Sequence, residues 1–194
     1  MKRRFLICLF LLVIAGLHNK DMIINEPIVF NTGFTQKSVN SLWKKIRARD
    51  KFLLKDKVIT IYLNSNGGHA QPSVVLFERI DKLQNAGRKF HMVIYGYCYS
   101  ACGTLFAMGN RRYMTKNAVY MQHKAYSVRN TTTDRAISHW IDVHRLRHDA
   151  YLLKEGLYEL IDMFKYSDFI SPADYMLSQG MIHGIVPQPD IDEI

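Results

Sequence analysis

The sequence predicts an α/β fold with parallel strands joined by helical crossovers. Short β-branched or apolar runs alternate with longer stretches whose apolar residues recur at helical spacing. Several of these runs end in small or turn-forming residues just before the next helical stretch. With 194 residues, 48% of them hydrophobic, the chain suits one domain with a buried core. Its 11 Gly and 5 Pro fit neither disorder nor a collagen-like repeat, and its 3 Cys are too few for a disulfide-scaffolded miniprotein. No internal repeat or low-complexity tract interrupts it.

The first residues form a separate unit. Lys2, Arg3 and Arg4 precede an apolar run from Phe5 to Leu17, and His18-Asn19-Lys20-Asp21 follows. This is the pattern of a secretory signal peptide, because a spanning helix needs roughly 20 apolar residues. An uncleaved N-terminal anchor is the alternative. Either way the rest of the chain is expected outside the cytoplasm, periplasmic or anchored through residues 5–17. We therefore divide the chain into 1–20, the targeting or anchoring segment, and 21–194, the folded domain.

The elements follow in order. Residues 22–32 read as an extended segment, which Pro27 assigns to a sheet edge. Thr35 to Arg49 is an expected amphipathic helix, with Val39, Leu42, Trp43 and Ile46 on one stripe. Val58 to Leu63 reads as a buried strand and ends in the sharp loop Asn64-Ser65-Asn66-Gly67-Gly68. Ser73 is the expected cap of a helix to about Ala86, with stripe residues Val74, Phe77, Ile80 and Leu83 and Gly87 as its stop. Phe90 to Tyr95 is a second buried strand, expected to break at Gly96. A compact core helix then covers Ser100 to Met108.

Tyr113-Met114 and Ala118 to Gln122 are two further short strands around a Lys116-Asn117 turn. A long helical stretch is expected over Asp134 to Phe164, kinked near Gly156. In Ser171-Pro172-Ala173-Asp174 we read a cap serine followed by Pro at the first helical position.

Chemistry in such folds collects beyond the carboxyl ends of the strands, and three features fall there. Gly67-Gly68 lets the backbone take positive φ and present an N–H to a ligand, or is simply a tight turn. Ser100 stands at a strand-to-helix turn with the small residues Ala101 and Gly103 behind it. Such a serine either points its hydroxyl into a cleft beside oxyanion-stabilising N–H groups or merely caps the helix. His123 ends the Ala118–Gln122 run, where a histidine is a general base for a serine or a surface residue. Each is weak alone. Together they sit where a serine hydrolase needs them.

The order of these motifs resembles the Clp protease/crotonase superfamily, and in particular its Clp-like serine peptidases. That family carries a strand ending in N-S-P-G-G, a G-x-x-x-S-x-G segment opening a buried helix, and a histidine in an M-x-H-Q strand. Here the matching residues are Leu63-Asn64-Ser65-Asn66-Gly67-Gly68, Gly96-Tyr97-Cys98-Tyr99-Ser100-Ala101 and Tyr120-Met121-Gln122-His123. The resemblance covers roughly residues 58–186 and implies a spiral of ββα units with a long helical segment after the His-bearing strand. It implies Ser100 as nucleophile, His123 as base, and the N–H groups of Gly68 and Ala101 as the oxyanion hole.

The third triad member departs from the family. Aligning Phe169-Ile170-Ser171 with the family's F-L-S puts Ser167 where the acid stands, with Asp168 one residue late. Asp168 is the candidate for orienting His123, Asp162 is the runner-up, and a dyad is the third option. His183 replaces the Asp of the family's terminal G-L-V-D. Cys98-Tyr99-Ser100-Ala101-Cys102 resembles an exported Clp-like group with a C-x-S-A-C nucleophile segment. In an oxidising compartment this pair is a disulfide candidate that would stiffen the turn presenting Ser100, and two buried thiols are the alternative.

Charge and the remaining histidines point to little else. The formal charge of +9 falls by three when Lys2, Arg3 and Arg4 leave with the leader, giving a mildly basic +6. The remaining basic residues are scattered, without the interleaved aromatics of single-strand binding, so no nucleic-acid partner is expected. His139, His144 and His148 share a helical face, but Arg145 and Arg147 lie among them, so neither a metal nor any other cofactor is expected. Trp140, Val143, Leu146, Tyr151 and Leu152 suggest self-association into a homo-oligomer or core packing. The expectation is an exported, ATP-independent serine hydrolase acting on peptide or protein substrates. A non-catalytic Clp-like binding module and a crotonase-type acyl-thioester enzyme are the rivals.

Overall fold

The computed structural model describes residues 28–52, 58–122 and 169–190. Their elements are β1 (Ile28–Phe30), α1 (Gln36–Phe52), β2 (Val58–Ser65), α2 (Ala70–Asn85), β3 (Lys89–Tyr99), α3 (Ala101–Ala107), β4 (Arg111–Thr115), β5 (Val119–Gln122), β6 (Phe169–Pro172), α4 (Ala173–Ser178) and β7 (Gly184–Val186). The strands form one seven-stranded sheet in the order β1-β2-β3-β4-β7, with β5 branching from β3 and carrying β6. All pairings are parallel except β5 with β6, which is antiparallel. The fold is thus mixed α/β on a mostly parallel sheet, as expected, with one antiparallel pair added at β5–β6.

Alternation along β2 shows how the core is built. Ile59, Ile61 and Leu63 are buried while Val58, Thr60, Tyr62 and Asn64 between them are half-exposed. The buried set meets Phe90, Met92 and Ile94 of β3 and the inner faces of the helices. On α1 the expected Val39, Leu42 and Ile46 are all buried. Its start is fixed by a reciprocal pair: Thr35 N–H donates to Ser38 Oγ at 2.9 Å and Ser38 N–H to Thr35 Oγ1 at 3.2 Å. Its other end is tied to the start of β3, where Arg88 Nε donates to Asp50 at 2.9 Å.

Helix α2 starts three residues before the expected cap. His69 is the N-cap residue, and Ser73 is buried inside the first turns, its hydroxyl donating to the His69 carbonyl at 2.7 Å. Pro72 fits there because the first turn of a helix has no partner for its missing N–H. The buried stripe is Leu76, Phe77 and Ile80, while Val74 is only half-buried. The expected stop holds, with Gly87 at φ 92° and Arg88 N–H returning to the Leu83 carbonyl at 2.9 Å.

The strand β3 does not break at Gly96. Its register with β2 jumps from Leu63–Ile94 to Ser65–Cys98, so β3 holds extra residues at a bulge. A Cβ on Gly96 would lie 2.5 Å from Asn64 Oδ1, and that same oxygen accepts the Tyr97 N–H at 3.1 Å. The bulge lets one strand serve two partners. Its first half, His91 to Ile94, pairs with β4, and its last residues, Tyr97 to Tyr99, pair with β5. The tip of β3 thereby keeps its pairing to β2 at Ser65–Cys98 while exchanging β4 for β5. That tip carries the site.

The C-terminal part departs most from expectation. Ser171 is a buried strand residue paired with Tyr120, and Pro172, rather than Ser171, is the N-cap of α4. Neither β6 nor β7 was expected as a strand. Arg112, nearly buried, joins β7's approach to β4 by donating to the Met181 carbonyl at 2.9 Å. Among the described residues no helix is long and apolar enough to cross a membrane. The targeting segment and the long helical stretch expected at 134–164 lie outside the described residues.

Candidate active site

The site begins with the loop after β2. Gly67 has φ 84° and Gly68 φ 149°, values that side-chain-bearing residues rarely adopt. Gly67 is buried in a tight seat: a Cβ there would lie 2.6 Å from the Tyr99 carbonyl oxygen, 2.8 Å from Ser100 Cβ and 3.0 Å from Ala101 N. The glycine therefore lets the loop lie directly against the corner that holds the serine. Ser65 fixes the loop from beneath, its hydroxyl donating to the Thr32 carbonyl at 2.6 Å and accepting the Gly67 N–H at 3.1 Å.

Gly68 is set by a short bridge to Phe34. Phe34 N–H donates to the Gly67 carbonyl and His69 N–H to the Phe34 carbonyl, both at 2.8 Å. The Gly68 N–H takes no part in that bridge. Ala101, the first residue of α3, likewise has an N–H with no carbonyl inside its own helix to receive it.

Ser100 directly precedes Ala101 and lies against Gly67. It is the only described non-glycine residue with positive φ, at φ 58° and ψ −122°. Such a conformation costs a non-glycine residue about 1–3 kcal/mol and concentrates at functional sites. Its side chain makes no capping hydrogen bond, which argues against the plain N-cap reading. Its N–H donates to the Met121 carbonyl on β5 at 3.0 Å, holding the corner against that strand.

Cys98 and Cys102 flank the serine, and their sulfurs are bonded in a disulfide with the Cα atoms 5.1 Å apart. The bridge does not run along a helix, as a spacing of four suggests. It crosses the corner from β3 to α3, and both cysteines are fully buried.

Of the sequence-derived candidates, Ser100, Ala101, Cys98 and Cys102 share one corner, and Gly68 follows Gly67, the glycine that packs against it. His123, Asp168 and Asp162 lie outside the described residues, as do His139, His144 and His148. Among the described residues no group of three or more His, Cys, Asp or Glu side chains is placed to hold a metal ion.

Sequence reasoning singled out the Gly67-Gly68 pair but gave no role to Ser65 or the Met121 carbonyl, which also shape the corner. Ser65 had a local signal in the N-S-x-G-G run. The Met121 carbonyl had none, since any residue supplies one. Beneath the site, Tyr120 pairs with Cys98, and its full burial pushes its phenol far above the usual tyrosine range. It is a packing residue, neutral at every physiological pH.

No curated protein matches the sequence. Among solved structures, the chain is similar to a single-substitution mutant of ClpP1 from Listeria monocytogenes, with TM-score 0.66 and 18% identity over 88% of this chain and 96% of that one. It is also similar to the catalytic domain of the ClpP protease from Plasmodium falciparum, with TM-score 0.66 and 16% identity over 85% of this chain and 87% of that one. At these identities the likeness establishes the fold. Residues 17–152, well over half of the chain, match the Clp protease family. The chain belongs to the Clp protease family.

Proposed function

We infer that this protein is a serine hydrolase acting on peptides, with Ser100 as the attacking residue. The observation that carries the reading is the Ser100 corner. A non-glycine residue holds an unfavourable backbone conformation, leaves its hydroxyl uncommitted as a cap, and sits against the tightly seated Gly67. Membership of the Clp protease family supports peptide hydrolysis as the reaction.

In this reading His123 takes the proton from Ser100 as the hydroxyl attacks a substrate carbonyl. The developing oxyanion is received by the N–H groups of Gly68 and Ala101, and water then releases the acyl group. Asp168 orients His123. The β5–β6 register supports this pairing, because Gln122 and Phe169 form its last described pair. His123 follows the first of these residues and Asp168 precedes the second. Ser100 in turn is hydrogen-bonded to Met121, two residues before His123. The described residues next to the proposed base and acid are thus paired, and the proposed serine is bonded to the same strand.

The basic and apolar N-terminal run supports export, by a leader or an anchor at residues 5–17, into a compartment where the disulfide persists. Export would place the chain away from cytoplasmic ATP, so the reading is of an ATP-independent peptidase, and a homo-oligomer is part of it. The test is labelling with a serine-reactive fluorophosphonate. Wild type is expected to label, and Ser100→Ala and His123→Ala to lose labelling. Unlabelled wild-type protein would favour the non-catalytic binding module instead.

A further inference from the structure

The disulfide does more at this corner than join two thiols. Cys98 is locked from both sides, paired with Ser65 on β2 and with Tyr120 on β5. Cys102 is the second residue of α3, a helix of 7 residues that begins Ala101-Cys102-Gly103. So short a helix has little ability to nucleate itself, and its start has no side-chain cap. Only Tyr99, Ser100 and Ala101 lie between the bridged residues. The bond therefore ties the first turn of α3 to a strand paired on both sides, with Ser100 at the centre of the span.

The local sequence does not call for this geometry. A serine disfavours φ 58°, and relaxation toward negative φ would swing the hydroxyl and the Ala101 N–H together. The backbone bond to Met121 and the Gly67 contact resist that relaxation without covalent force. A bridge closing so short a loop restrains the unfolded chain less than a long one would. Its distinctive effect is local.

We propose that the Cys98–Cys102 disulfide is a positioning element for the reaction: it holds Ser100 in its attacking conformation, and the oxidised chain is the competent hydrolase. The proposal rests on Ser100 being the nucleophile. Reduction by a dithiol reagent breaks the S–S bond, delivers two electrons and two protons to the cysteines, and leaves the reagent as a cyclic disulfide.

The experiment compares the oxidised full-length protein, the same protein reduced with dithiothreitol, and the double variant Cys98→Ala/Cys102→Ala. Each is assayed for fluorophosphonate labelling and for hydrolysis of p-nitrophenyl acetate, with a gain of two thiols confirming reduction. Loss of the bridge is expected to slow labelling and lower kcat about tenfold or more, since small misplacements at a reacting centre are costly. KM should stay within about twofold, and labelling should still reach the same number of sites at its end point. A merely structural bond would reduce the number of reactive sites and leave kcat per site unchanged.

Equal rates in the oxidised and bridge-free forms would overturn the proposal while leaving Ser100 as nucleophile. Failure of the nucleophile reading is seen separately, as absent labelling of oxidised wild type or equal labelling of Ser100→Ala. Circular dichroism accompanies each form. If both bridge-free forms unfold, the bond serves the whole fold and the proposal is also wrong.

Discussion

Ser100 occupies a backbone conformation that glycine would take at less cost, and it retains a side chain there. If the hydroxyl is kept for chemistry, stability is the quantity given up. Ser100→Gly should then be more stable than Ser100→Ala by about 1 kcal/mol, read from urea midpoints, with neither variant labelling. Gly67 reports on the opposite wall. A Cβ added there would meet the Tyr99 carbonyl oxygen, a backbone atom, at a φ that disfavours any side chain. Gly67→Ala should cost about 1–3 kcal/mol and slow labelling of Ser100 by about a hundredfold, because the loop must retreat from the corner.

At the scale of elements the decisive feature is the bulge that turns β3 from β4 to β5. Gly96→Ala should cost about 1–3 kcal/mol through the clash with Asn64. Asn64 is a side chain and can be cut away, so the double variant Gly96→Ala/Asn64→Ala should recover part of the loss. A double-mutant cycle by urea unfolding should give a coupling of about 0.5–3 kcal/mol. Independent, additive losses would mean that Asn64 does not hold the bulge.

The same elements show what a sequence reveals. β2, α1 and the stop of α2 were legible, because burial there follows strict periods of two or 3.6 and Gly87 closes a helix. The Ser100 corner was legible through small residues at a strand-to-helix step. The passage of β3 through Gly96 was not, because a glycine reads as a break unless one knows that a neighbouring amide fills its place. β6 and β7 escaped for a different reason: each has only a few residues and gains its ladder from a partner far along the chain. Ser171 was misread because a buried strand serine and a cap serine look alike before Pro.

Over the whole molecule, stability should depend on pH through His91. Its pKa is lowered by burial first, then by Arg111, His183 and Lys89 nearby. Its ring also packs edge-on against Tyr113. The folded chain therefore resists protonating it. Above the unfolded value of about 6.5 the residue is neutral in both states and costs nothing. As pH falls below that value, the unfolded chain takes up a proton that the folded chain refuses, and stability declines. His91→Phe keeps a ring against Tyr113 and should show a smaller drop in melting temperature than wild type between pH 7 and pH 5. An identical acid-side slope in both proteins would remove His91 from the account.

β7 also bears on the order in which the molecule becomes complete. Tyr113 on β4 pairs with Gly184 on β7, about seventy residues further along the chain. During synthesis, the rim of β4 must wait with its N–H and C=O groups bare until that late stretch has emerged. Nascent or truncated chains stopping before Gly184 would carry an unclosed β-edge and should be captured by aggregation or chaperones rather than settle as soluble half-products. Three residues near the end of the described chain thus act as a completion check on its sheet.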